Sequence, residues 1–137
     1  MDAASTLTAG IVELTVITIE TGGMFLLRVV RGKQPANALQ TSFFRAGHAH
    51  AGVLVILGLV TLLLTNASDV ADPWKWVGPL GVLAAAILMP AGFFLSALGR
   101  DPQRPGRLIT LVWAGAAVLA LGLATTGVGL VVAGASA

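Results

Sequence analysis

The stretch Ser42–Thr65, SFFRAGHAHAGVLVILGLVTLLLT, decides the fold. From Ala51 onward it contains no charged residue, and its apolar residues run on continuously instead of alternating with polar ones. A helix of this length rises about 36 Å at 1.5 Å per residue, enough to cross roughly 30 Å of hydrocarbon. A membrane-spanning β-strand would show alternation, so the stretch reads as a transmembrane helix.

Three further runs of the same kind flank it, at about 7–30, 77–98 and 108–132. The expected fold class is therefore all-α: a four-helix transmembrane bundle forming one integral membrane domain over residues 1–137. Charged residues make up only 10% of the chain, too few to build the surface of a water-soluble domain. Cysteine is absent, which excludes disulfides, thiolate metal sites and cysteine nucleophiles. The first span is not expected to be a signal peptide, because it lacks a basic start and carries two glutamates.

The connections divide by charge. Arg28, Arg31, Lys33 and Arg45 flank the first loop, and Arg100, Arg104 and Arg107 lie in the third. Only Lys75 falls in the second, beside Asp69 and Asp72. The positive-inside rule then places loops one and three in the cytoplasm and both termini outside, in what is expected to be a bacterial inner membrane. Trp74 and Trp76 mark an interfacial belt, and Pro90-Ala91-Gly92 predicts a kink in the third span. The fourth span is rich in small residues, among them Gly115 and Gly122, which predicts tight packing within the bundle or against another subunit. The basic balance speaks of orientation; nucleic acid is not an expected partner. The expected partners are the bilayer and either further copies of the chain or a larger membrane complex.

Ionisable residues inside spans are functional candidates because they are costly there. Glu13 and Glu20 are seven apart, so they share nearly one helix face. Repulsion and lost hydration favour at least one of them keeping its proton. Glu20 lies roughly 16 Å from the boundary at Arg31 by helical rise, near the bilayer midplane. It is a candidate buried polar or proton-relay residue.

His48 and His50 are the only histidines and the candidate metal ligands. At i and i+2 they point about 200° apart around a helix, so one ion would bind both only if the helix began non-helically at Gly47. A single bundle-facing imidazole would suit haem iron. Arg28 and Arg45 lie at a similar depth and form a candidate clamp for an anionic group such as a lipid phosphate, a haem propionate or a substrate carboxylate. No P-loop, dinucleotide-binding glycine pattern, HExxH or hydrolase triad is present, and no residue is singled out as catalytic.

Two family resemblances arise at the second span. Phe44, Arg45, His48, Ala49 and His50 make an FRxxHAH pattern that resembles the small four-helix relatives of haem-copper oxidase subunit I. That resemblance implies a haem-ligating histidine on this helix. With no third histidine in the chain, an intramolecular bis-histidine site is excluded. The architecture, with Arg45-Ala46 and Ala49-His50, is also similar to the membrane-associated eicosanoid and glutathione metabolism (MAPEG) family. This implies a trimer and an enzyme acting on an amphipathic or lipid substrate. That family's glutathione-binding Asn and Glu would fall at Gly52 and Val55 here.

The expected function is ligand binding, with haem or a metal the most testable ligand, at a site of His48, His50, Arg45, Arg28 and Glu20 between the first two helices near the cytoplasmic side. A MAPEG-like enzyme and a non-catalytic accessory subunit are the alternatives.

Overall fold

The computed structural model describes residues 1–68 and 70–136. It contains four long helices, α1 (Ala3–Val30), α2 (Ala38–Ala67), α3 (Trp74–Ser96) and α4 (Thr110–Ala135), the last entered through a 3-10 turn at Arg107–Ile109. All are long and apolar enough to cross a membrane. Asp69, read from the sequence as part of the second loop, lies outside the described residues.

Two of the helices, α1 and α2, begin before the apolar runs because polar residues cap them. The Asp2 carboxylate accepts a hydrogen bond from Ser5 N at 2.7 Å, so α1 starts at residue 3. Asn37 and Gln40 form a reciprocal capping box, with the Asn37 side chain accepting from Gln40 N at 2.8 Å and the Gln40 side chain accepting from Asn37 N at 3.1 Å. This adds a polar turn to the start of α2. At the end of α1 the chain turns at Gly32, whose φ of 68° favours glycine. Gly32 N then donates to Val29 O and Lys33 N to Arg28 O, satisfying carbonyls that the helix end leaves open. α3 ends at Ser96, two residues short of the apolar run, and continues as one helix through Pro79 and Pro90.

Side chains tie the two ends of the bundle separately. At one end Lys75 Nζ lies 3.0 Å from Asp2 Oδ2, joining the starts of α1 and α3. The Asp2 carboxyl is lowered from 3.8 to about 2, first by the hydrogen bond from Ser5 N and then by Lys75. At the other end Asn37 Nδ2 donates to Asp101 Oδ1 and to Pro102 O, both at 2.8 Å. Gln40 Nε2 donates to Ala97 O at 3.2 Å and Gly99 O at 3.1 Å. Asp101 has a φ of 64°, in the left-handed region that Asp tolerates better than most residues. Loops one and three therefore sit together, opposite the termini and loop two.

The helices pack as a row: α1 on α2, α2 on α3, and α3 on α4. The core is Leu54, Val55, Ala85, Ala86 and Met89, with Val12, Val16 and Ile19 of α1 and Val112, Ala116 and Leu119 of α4 against it. Among the small residues of α4, Gly115 and Gly122 are buried and serve contact inside the bundle. A Cβ on Gly122 would lie 2.9 Å from Gly78 O and 3.0 Å from Val82 N, so the α3 and α4 backbones touch there. Gly92 likewise leaves room for α4, since its Cβ would lie 2.7 Å from Val112 N. By contrast, α1 is largely exposed outside its contact with α2.

Candidate functional site

Aromatic residues gather at the end of the bundle that holds loops one and three. Phe25 of α1 meets Phe44 of α2 edge to face, with ring centroids 5.4 Å apart. Phe44 stacks on Phe94 of α3 at 5.5 Å, and Phe43 meets Phe93 at 5.6 Å. These are all five phenylalanines of the chain. Gly47 is what lets α3 come so close, since a Cβ there would lie 2.9 Å from the Phe94 ring and 3.2 Å from Phe93 Cβ.

Both histidines belong to this layer, on different sides of α2. The His48 ring lies against the Gly22-Gly23 step of α1: a Cβ on Gly22 would be 3.4 Å from Nδ1, and one on Gly23 would be 3.3 Å from Cε1. His50 faces α3, with its ring centroid 5.0 Å from that of Phe93. Its Nδ1 lies 2.8 Å from Ala46 O. A carbonyl oxygen can only accept, so this bond puts a proton on Nδ1.

The sequence raised a shared ion site for His48 and His50, conditional on a non-helical start at Gly47. The structure does not bring them together, because α2 is helical from Ala38 and its geometry turns the two rings apart. Among the described residues no three His, Asp or Glu side chains cluster to hold a metal.

A cavity of about 760 Å³ opens above this layer, between the end of α1, loop one, the start of α2 and loop three. Phe25 and Phe44 form its apolar wall, and Asn37, Gln40, Arg100 and Asp101 its polar one. His48 follows Phe44 by one helical turn, so it lies just beneath this wall on the same face of α2. Sequence reasoning missed the cavity. Its polar wall is built by residues that read only as loop.

Arg28 and Arg45 are both exposed, and Arg45 borders a separate hollow with Asn37, Thr41 and Ser42. Glu20 is exposed on α1, as is Glu13. Each lies about 5 Å from the midpoint of α1 by helical rise, and neither has a hydrogen-bond or ion-pair partner among the described residues. A charged side chain at that depth costs roughly 3 kcal/mol on insertion scales. A third hollow, at the end bearing the termini, is lined almost wholly by apolar residues such as Val70, Trp74, Val128 and Val132.

Four apolar helices with this aromatic–histidine layer define the class: an integral membrane protein of the four-helix type. No family model, curated protein or solved structure matches the chain.

Proposed function

We propose that the protein binds an amphipathic ligand, with the ligand's apolar body against Phe25 and Phe44 and its polar head at Arg100. The observation that carries this reading is the 760 Å³ cavity, which joins an aromatic wall to the Arg100 cation, while the Asn37 and Gln40 amides beside it donate to loop three and hold the polar wall in place. The ligand class is a flat or chain-like apolar molecule with an acidic head. Seven of the eight basic residues flank loops one and three, so the positive-inside rule puts this cavity at the cytoplasmic face of the membrane.

Haem has the required shape and acidic groups and is the first ligand to test. His48 is the histidine on the cavity's side of α2, one turn below Phe44, whereas His50 faces Phe93 of α3 away from the cavity, so iron held at the cavity would be ligated by His48. His48 is packed against α1, and reaching it would require α1 to move away.

The test is an absorption spectrum of detergent-purified protein, before and after adding haem, with metal analysis of the same sample. A Soret band lost in His48→Ala and kept in His50→Ala supports haem ligated by His48 at the cavity, and the reverse result places haem elsewhere and counts against the cavity. If haem leaves no band, fluorescent fatty-acid and lysophospholipid probes test the wider class. Displaceable binding that weakens in Arg100→Gln and Phe44→Ala supports the cavity. Failure of haem and of both probes to bind overturns the reading.

A further inference from the structure

The exposed carboxyls of α1 follow a pattern. Thr6, Gly10, Glu13, Ile17, Glu20 and Met24 succeed one another at alternating steps of four and three residues, and all are exposed. This spacing forms one continuous stripe, the seam on which two helices pack side by side. A Cβ on Gly10 would meet nothing within 4 Å, so the seam is open there.

The chemistry of the stripe narrows what can cover it. Both glutamates lie near mid-helix, where lipid offers no hydrogen-bond partner. The exposed faces of α2, α3 and α4 at this depth are apolar, as Val53, Ile56, Ile87 and Leu121 illustrate. The hydroxyl protons there are already committed and leave acceptors alone: Thr125 donates to Leu121 O, and on α1 itself Thr15, Thr18 and Thr21 donate to backbone carbonyls. The half-buried His50 would serve Glu20 alone and leave Glu13 without a partner. A carboxyl group, however, both donates and accepts when a proton is present, and so complements another carboxyl.

We infer that α1 is a self-association face, on which α1 of a second copy packs in parallel so that Glu13 meets Glu13 and Glu20 meets Glu20 across a two-fold axis. Copies inserted in one membrane share one orientation, so a two-fold axis along the membrane normal brings identical residues to identical depth. Both carboxyl pairs are then satisfied at once, each sharing protons between facing oxygens. The cavity and the aromatic layer lie on the other side of α1 and remain free.

The chain has no cysteine, so single replacements report the contact directly. Gly10→Cys, Ile17→Cys and Met24→Cys, oxidised in native membranes, should give disulfide-linked dimers several-fold more than Ile11→Cys and Thr18→Cys. Those two controls are also exposed, at comparable depth, but lie more than 90° around the helix from the stripe. In the Ile17→Cys background, Glu13→Gln with Glu20→Gln should keep the dimer, because an amide also donates and accepts. Glu13→Leu with Glu20→Leu should lose most of it. Equal cross-linking at stripe and control positions overturns the inference. So does a cross-linked product of any mass other than twice the chain, or a Leu double variant that cross-links as well as the parent.

Discussion

The His48 imidazole occupies the space that a side chain on Gly23 would need: a Cβ there would lie 3.3 Å from Cε1 and 3.4 Å from Nε2. Two glycines in succession thus make a notch in α1 for a ring on α2, and the contact sets how closely the two helices approach. Gly23→Leu should push α1 off α2 and destabilise the bundle by about 1–3 kcal/mol, the usual penalty for overpacking. His48→Ala removes the obstruction, so the double variant should recover part of that loss. Thermal unfolding of the four proteins of this cycle in detergent checks the coupling. Strict additivity would show that the notch and the ring do not share one contact.

The contact between α3 and α4 is less forgiving, because backbone atoms surround Gly122. Gly122→Ala should destabilise by about 1–3 kcal/mol, since neither Gly78 O nor Val82 N can move aside as a flexible side chain does. Gly127→Ala on the same helix meets nothing within 4 Å and should be neutral or slightly stabilising through helix propensity. Thermal midpoints of the two variants, measured side by side, provide the comparison.

Asp2 links stability to pH. Its folded pKa is about 2 against an ordinary 3.8, so the folded state holds the charged form more strongly. The contribution is complete above about pH 4 and is lost as pH falls through the folded pKa toward 2. Asp2→Asn keeps a capping side chain but loses the charge facing Lys75. It should therefore melt below the parent at pH 5, and the gap should close between pH 4 and 2. A gap constant over that range would rule out the Asp2 charge as its source.

Asn37 is both the cap of α2 and the anchor of loop three. Asn37→Ala removes the cap and frees Asp101 and Pro102, at an expected cost of about 1–2 kcal/mol. In sealed membrane vesicles with this face outward, trypsin should then cut after Arg100 and Arg107 faster than in the parent. An unchanged cleavage rate would show that Asn37 does not restrain the loop.

Several details were legible in the sequence once polar residues are read as caps. The Asp2-x-x-Ser5 and Asn37-x-x-Gln40 spacings are ordinary start signals that account for the displaced starts of α1 and α2, and Gly32 after a basic turn is an ordinary stop signal. The i, i+2 spacing of His48 and His50 already implied opposite faces, and the structure separates them accordingly. The cavity was not legible. It exists because Asn37 and Gln40 reach loop three, residues some 60 positions away along the chain.

The sequence by itself determined that this is a membrane protein of four helical spans, because the cost of placing each segment in hydrocarbon is a local sum along the chain. It also paired the connections by charge. Only the tertiary structure decided which face of each helix turns inward. These helices are apolar nearly all round, so hydropathy gives them no preferred rotation in lipid. Rotation follows instead from close fit between distant parts of the chain: His48 in the Gly22-Gly23 notch, Gly122 on Gly78, and Gly47 beneath Phe94. The same fit leaves Glu13 and Glu20 on the outer face of α1, where spacing alone had put them together without saying which way they point.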